Sequence, residues 1–320
     1  HVKSAGEESS LAMRRNLGYS EGIVNLKNIN HARLEPYIST ARLATYSNFF
    51  APADKVELFG CYLWSKEIAA AFFPLLQVLE VTLRNAIHNE ASQRLGGYWF
   101  DHVATRPQNR MNTGQQRNVA HFNRSISDAR QKIRQDLHLS RNSSVSADRI
   151  VANLTFGFWT NLFSAAFDVN RNSNALWPAL LRPVFPHAPQ GHRTRAQMQQ
   201  KLLAIKTFRN KAFHHEPIWN IGRPLRVEDS IQKLLDTHDD ILDLVSWVSL
   251  DGGDLVEKAG YSCTVKRVCS LEHLNYLKRP GENDKPLSKV KRELRSIVRR
   301  RNQTTHITIN NCKFGKIHGR

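Results

Sequence analysis

Leu75-Leu76-Gln77-Val78-Leu79-Glu80-Val81-Thr82-Leu83-Arg84-Asn85-Ala86-Ile87-His88 is written in the period of a helix. Leu76, Leu79, Leu83 and Ile87 return every three or four positions, whereas a half-buried strand would alternate. Glu80, Arg84 and His88 stand at i, i+4 and i+8 and form a polar stripe along the same element. On so apolar a helix such a stripe must be paired internally or face a cavity. The helical pattern extends from about Lys55 to Arg94. Pro74 either kinks it or opens a second helix at its first turn.

Outward from there, further helical periodicities follow. Gln115–Leu137 places Val119, Phe122, Ile126, Ile133 and Leu137 on one face. The opposite side carries Arg117, Arg124, Arg130, Lys132 and Arg134, which reads equally well as a phosphate-facing surface or a solvated face. Ser140–Ser146 is a linker, with Ser146 or Asp148 as a cap for the next helix. Arg149–Asp168 reads as one helix rich in Phe156, Phe158, Trp159, Phe163 and Phe167. Aromatics at such spacings favour core over stacking platforms for bases. Pro178, Pro183, Pro186 and Pro189 mark 176–192 as a rigid connector. A helix over 194–216 turns Met198, Leu202, Ile205 and Ala212 inward, and Pro217 forces Glu216 out of the helical region. Another helix spans Glu228–Leu250. No alternating strand precedes residue 250. The fold class is therefore all-α, a helical bundle with a small basic C-terminal appendix.

The division expected is a mobile arm over 1–33, a helical domain over 34–250 and a basic extension over 251–320. In the extension, Ser288–Arg301 has helical spacing and concentrates Lys289, Lys291, Arg292, Arg295, Arg299, Arg300 and Arg301. Thr304–Phe314 has the β-branched alternation of a short strand.

The charge balance narrows the partner. The 320 residues carry 46 Lys+Arg against 28 Asp+Glu, a formal net charge of +18. That excess favours a polyanion, because each cation meeting a phosphate releases condensed counterions. Nucleic acid is the leading candidate and an anionic membrane surface the lesser one; Lys289, Arg292, Arg295, Arg299, Arg300 and Arg301 are the RNA-binding residues expected in the tail. Cys61, Cys263, Cys269 and Cys312 show no CxxC spacing, so they read as free thiols in a reducing cytosol and not as zinc ligands. No apolar run of about 18 residues occurs, which argues against a membrane span, and no signal peptide is legible. A cytoplasmic protein is expected. The chain begins with His1, which leaves open whether the native start is present.

One short constellation suggests chemistry. Arg209 and His214 are separated by four residues at the end of the 194–216 helix. With 14 His in 320 residues, about one such pair is expected by accident, and Arg301…His306 supplies one. Context separates the two. Arg209 and His214 end an amphipathic helix that has other apolar helices to pack on, whereas Arg301 and His306 run into a Thr-rich stretch.

The longer string Phe208-Arg209-Asn210-Lys211-Ala212-Phe213-His214-His215-Glu216-Pro217-Ile218-Trp219-Asn220 resembles the signature of the Abi-like (abortive-infection) proteins of the HEPN superfamily. Leu79–His88 and Leu154-Thr155-Phe156-Gly157-Phe158-Trp159 resemble the same family, in the right order. Together the resemblance covers roughly residues 34–250. It implies a HEPN-like helical bundle acting as an antiphage or toxin-type ribonuclease without metal or other cofactor. It also implies a homodimer paired across the site, and restraint by an RNA or protein antitoxin. Arg209, Asn210 and His214 map onto the working residues of the family motif.

The chemistry can be argued independently. Cleavage of RNA by its own 2′-hydroxyl needs a proton acceptor, a proton donor and stabilisation of a dianionic phosphorane. Histidine suits proton transfer near neutrality, and an Arg fork binds phosphate oxygens bidentately. Asn210 would orient the phosphate or the imidazole. Glu80, Arg84 and His215 are the supporting residues expected around the pair. Blander readings stand beside these: Arg209 pairing with Glu80 as its whole role, His214 capping the helix, His215 and His88 as satisfied polar groups. Neighbouring helical side chains point about 100° apart, so His214-His215-Glu216 serves one metal ion poorly. Three functions remain open: a metal-independent endoribonuclease, a non-catalytic RNA-binding module, and a helical adaptor for a protein partner.

Overall fold

The computed structural model describes residues 26, 29–169, 172–280, 292, 295, 304–309 and 312–318. Its core is all-α. The helices are α1 (His31–Ile38), α2 (Thr40–Phe50), α3 (Lys55–Leu95), α4 (Thr113–Asp136), α5 (Ala147–Asn153) and α6 (Phe156–Asn161). They continue with α7 (Leu181–Val184), α8 (Arg195–Phe213), α9 (Val227–Val248), α10 (Leu250–Lys258), α11 (Tyr261–Val268) and α12 (Leu271–Lys278). A hairpin of β1 (Thr304–Ile309) and β2 (Cys312–His318) follows. The chain divides into two compact units, residues 66–269 and residues 1–65 with 270–320.

In the first of these, α3 supplies the central apolar face. Leu75, Leu76, Leu79, Leu83, Ile87 and Ala91 are all buried, as their spacing requires. The helix runs unbroken past Pro74, which removes one backbone donor without ending it. Phe72 meets Phe208 of α8 with ring centroids 4.6 Å apart, and Phe73 meets Phe213 at 5.3 Å. The N-terminus of α8 is fixed by a capping box between Thr194 and Gln197, and that of α4 by one between Asn112 and Gln115. On α9, Leu234, Ile241 and Val245 are buried together with His238, which lies 2.9 Å from Ser262 Oγ and 2.8 Å from Asp239 Oδ1. Beyond residue 250, α10 and α11 pack on α9.

Five expectations need correction. The aromatic run is not one helix over 149–168: it breaks into α5, α6 and a 3₁₀ turn, Ala165–Phe167. The backbone leaves the helical region at Leu154 and Thr155 before α6 and again at Ser164 after it. The short α6 is buried on opposite sides, with Phe156 and Phe158 both inside, as are Trp159, Phe163 and Phe167 beside and beyond them. Phe122 of α4 stacks on Phe158 at 5.1 Å, so these rings are core and not base-stacking platforms. The segment 176–192 is no mere connector, since Leu176, Trp177, Leu180, Val184 and Phe185 are buried. Leu137 belongs to no apolar face; it follows the last residue of α4 and is exposed.

The fourth concerns the end of α8. The helix stops at Phe213, not at Glu216. His214 takes the C-cap position, and His215 adopts a left-handed conformation at φ 59. The Glu216 N–H donates to the Lys211 carbonyl at 2.9 Å and the His215 N–H to the Ala212 carbonyl at 3.1 Å. This paired closure satisfies carbonyls that a helix end leaves without donors. Pro217 comes after the closure and does not cause it.

In the second unit, Leu26, Leu43 and Phe59 form a small core bordered by Leu34, Ile38, Val56 and Tyr62. Gly60 lies so close to the Leu277 carbonyl that a Cβ there would collide with backbone. The buried Glu57 accepts from Arg279 Nε at 2.8 Å and from the Ala53 N–H at 3.1 Å, and pairs with Lys278 Nζ at 3.2 Å. Thr304–Phe314 is not one strand. β1 and β2 pair antiparallel with Ile309 opposite Cys312 and a bulge between Ile307 and Thr308. Of the expected helix over 288–301, only Arg292 and Arg295 are described, both helical and exposed.

Burial pushes the Glu57 carboxyl upward, but the hydrogen bonds from Arg279, Ala53 and Lys278 outweigh it and hold the group at about 2. A carboxylate depressed in the folded state contributes stability above its unfolded pKa and loses it as pH falls through the folded one. The ordinary value is 4.5, so the contribution, on the order of 3 kcal/mol, fades between pH 4.5 and pH 2. Denaturant titrations at pH 7 and pH 3 should show it fading in the wild type. In Glu57→Gln the pH dependence over this window should be markedly flatter.

Candidate active site

Arg209 projects from the penultimate turn of α8 into a cleft of about 600 Å³ between α3, α8 and α10. The lining is mostly apolar, with Phe73, Val78 and Val81 from α3, Phe213 from α8 and Leu255 from α10. Glu80 and Arg84, from the polar stripe of α3, line it as well. That stripe does face a cavity.

The guanidinium of Arg209 is held on three sides and weakly on each. Its carbon lies 4.2 Å from the centroid of the Phe213 ring, four residues on along the same helix. One Nη is 3.8 Å from Glu80 Oε2, which is ion-pair range but beyond a hydrogen bond. The other Nη reaches Asn210 Oδ1 at 3.5 Å, the limit of such an interaction. The buried Nε–H has no hydrogen-bond partner among the described residues. A buried donor without an acceptor costs about 1–3 kcal/mol, so the fold leaves this guanidinium incompletely satisfied.

His214 is not in this cleft. It lies one residue past the helix, exposed, and is absent from the lining. His215 is exposed too, and its carbonyl accepts from Lys66 Nζ at 3.3 Å. Glu216 pairs with Lys211 at 3.0 Å. Within one chain, then, the structure brings together Arg209, Asn210, Glu80 and Arg84, and leaves His214 and His215 at the helix end beside them. Arg84 Nε also donates to Asn85 Oδ1 at 3.2 Å. His88, the last member of the stripe, is satisfied: Trp99 Nε1 donates to its Nδ1 at 2.9 Å, and Nε2 lies 3.3 Å from Asp148 Oδ1.

The basic face of α4 divides. Arg130 pairs with Asp101 and lies 5.5 Å over Phe100, and Arg134 donates to the Ser143 carbonyl at 3.0 Å. Arg117 and Arg124 make no ion pair among the described residues and open onto a separate cavity. In the tail, Lys289, Arg299, Arg300 and Arg301 lie outside the described residues. Lys278 and Arg279, the first of that basic run, are tied to Glu57.

Phe213 and Leu255 are site residues that sequence reasoning missed. The first was detectable, because Phe213 is four residues after Arg209 on one helix. Leu255 lies on an element whose packing no local pattern foretells. Among the described residues no three His, Cys, Asp or Glu side chains could hold a metal ion, and no helix is long and apolar enough to cross a membrane. Cys61, Cys263 and Cys269 are free thiols; burial pushes Cys61 up to about 12 and Cys269 up as well.

A family model described as "Abi-like protein" matches residues 25–220, which take in α1 to α8 and the whole Arg209–Pro217 stretch. No curated protein and no solved structure matches the chain.

If Arg209 served only to neutralise Glu80, removing the carboxylate charge would strand a partly buried cation. The long separation predicts otherwise. Glu80→Gln should change unfolding free energy by less than about 1 kcal/mol in urea titrations. A destabilisation of about 3 kcal/mol or more would restore the purely structural role.

Proposed function

The chain belongs to the Abi-like protein family, whose membership points to a part in abortive infection, and we propose that it acts there as a metal-independent endoribonuclease. The observation that carries this reading is the Arg209 guanidinium, set in an aromatic-walled cleft with a buried N–H that no described residue accepts. An always-charged planar fork with donors to spare is suited to a phosphodiester.

In this reading Arg209 binds the scissile phosphate and Asn210 orients it. A histidine takes the proton from the 2′-hydroxyl, whose oxygen attacks phosphorus. The bond to the 5′-oxygen breaks, and a second proton donor returns a proton to that oxygen. A 2′,3′-cyclic phosphate and a 5′-hydroxyl result, with no water consumed. Arg209 stabilises the extra charge of the phosphorane, the role that commonly counts most in such reactions.

His214 is the proton-transfer residue, and its place outside the cleft of its own chain is why the active unit is taken to be a homodimer. A twofold axis at the α8 end would set two copies of 209–214 face to face, so that each phosphate meets Arg and His from both. One His then serves as base and the other as acid. The exposed Phe73, Val81, Phe213 and Leu255 around the cleft supply an apolar rim for that interface. A HEPN-type bundle, toxin use and restraint by an RNA or protein antitoxin belong to the same proposal. A non-catalytic RNA-binding module is the competing reading, and the removal of His214 separates the two.

Incubation with total RNA in EDTA, followed by end-group analysis, should yield cyclic-phosphate and 5′-hydroxyl ends. Arg209→Ala and His214→Ala should each lower cleavage by about 10²–10⁴-fold while the far-ultraviolet dichroism stays unchanged. His306→Ala, the accidental partner of Arg301, should cleave normally. Undiminished cleavage by folded His214→Ala would sink the assignment.

For the tail, neutralising Lys289, Arg292, Arg295, Arg299, Arg300 and Arg301 to Gln should make the dependence of log affinity on log salt shallower. The change should be roughly 0.7 for each phosphate that the tail no longer neutralises. An unchanged slope would mean that these cations face something other than RNA.

A further inference from the structure

A second cavity, of about 410 Å³, opens between α4, α6 and α8, away from the cleft that holds Arg209. Its charged lining is of one sign. Arg117, His121 and Arg124 stand at i, i+4 and i+7 on α4, and Lys206 projects from α8. The rest of the lining is Asn118, Ala120, Gly157 and Asn161, with no carboxylate among them. None of Arg117, Arg124 or Lys206 makes an ion pair or side-chain hydrogen bond among the described residues. Elsewhere in the same unit the cations next to the core are matched: Arg130 with Asp101, Arg195 with Asp168, Lys201 with Asp240.

Like charges gathered around one concavity repel one another, and this fold has no need of them there. The polar framework beneath is already satisfied, Asn161 Nδ2 donating to the Asn118 carbonyl at 2.8 Å and Asn118 Nδ2 to Ser164 Oγ at 2.9 Å. Three permanent cations and an imidazole, left unpaired around a hollow, suit the phosphates of an anionic strand.

We propose that Arg117, His121, Arg124 and Lys206 form a second phosphodiester-binding site, which grips single-stranded RNA at a phosphate other than the one at Arg209. The proposal rests on the reading of RNA as the ligand but not on cleavage. It gives α4 a function that its sequence left evenly balanced between phosphate binding and solvation. The site holds the strand; it takes no part in bond breaking.

His121 is a built-in reporter. Partial burial and then the charges of Lys206 and Arg124 hold its imidazole below the ordinary value, and the other neighbours, on α6, are uncharged. A phosphate seated among these groups cancels part of that repulsion, so the imidazole must titrate at higher pH when the site is filled. The experiment uses the full chain, with two probes. Inorganic phosphate and a single-stranded oligodeoxyribonucleotide, which lacks the 2′-hydroxyl and cannot be cleaved, are each titrated while the His121 ring signal is followed by NMR. Oligonucleotide affinity is then measured against salt for wild type and Arg124→Gln/Lys206→Gln. Expected results are a rise in the His121 pKa with both probes and a salt slope shallower by about 1.4 in the variant, roughly 0.7 for each phosphate no longer neutralised. The variant should melt no lower than wild type, because the substitutions relieve repulsion; a lower melting point would mark the cations as structural and overturn the proposal. If phosphate moves His121 but the oligonucleotide slope is unaltered, the site takes a free phosphate and the RNA assignment falls. If neither probe moves His121, there is no site. Because the oligonucleotide is uncleavable, these outcomes are read apart from those of the Arg209 and His214 variants, and either proposal can fail alone.

Discussion

Where α3 crosses α8, Phe72 lies against Phe208 and Phe73 against Phe213, and Arg209 comes within 3.8 Å of Glu80 further along α3. The seam fixes which face of α8 points inward, since Leu202, Ile205 and Phe208 are buried along it. Arg209 follows directly after Phe208 and is carried to the edge of the buried face, where its side chain lines the cleft. Were the seam to slip by one turn, Arg209 would meet either solvent or the hydrocarbon of α3. The closure at His215 then acts as a stop. By ending the helix at Phe213 it preserves the stacking of Phe213 on Arg209 and turns His214 outward. A non-glycine residue in the left-handed region costs about 1 kcal/mol or more, a cost this chain also bears at Ser39, Ala51, His138 and Arg223.

The distribution of charge follows a second logic. Acidic residues are used where a cation must be kept close to the fold, as at Glu57 with Lys278 and Arg279, or Asp168 with Arg195 at 2.9 Å. Some of the cations left without a carboxylate meet in hollows. Those on α4 and α8 share a concavity, and Arg209 has only the distant carboxylate of Glu80. A basic surface that serves solubility alone would have no reason to leave its unpaired cations in hollows. Under the proposals above, these hollows receive the repeated charge of a polyanionic strand.

Much of the fold was legible because its helices bury one stripe each. The apolar positions of α3, α8 and α9 could be read from spacing, and Asn112, Thr194 and their Gln partners mark two helix starts in the sequence. What escaped were places where tertiary packing overrides period. The breaks at Leu154–Thr155 and at Ser164 follow no local rule, and the closure at Ala212–Glu216 depends on a histidine accepting a conformation normally left to glycine. Arg209 was identified from its motif, and its link to Glu80 from the polar stripe on α3. The basic pocket was half legible: Arg117 and Arg124 lay on the face noted for α4, but Lys206 comes from a helix far along the chain and His121 between them drew no notice. Convergence of separate elements on one cavity is the information that periodicity lacks.

The central claim is that one chain carries half of a working site, with Arg209 in the cleft and His214 outside it until a second copy arrives. Sedimentation and cleavage followed on the same samples across a dilution series, with RNA present, test this most directly. Activity per protomer should fall in step with the dimer fraction and vanish in the monomer. A species that sediments as a monomer at assay concentration while cleaving RNA at the full rate would contradict it.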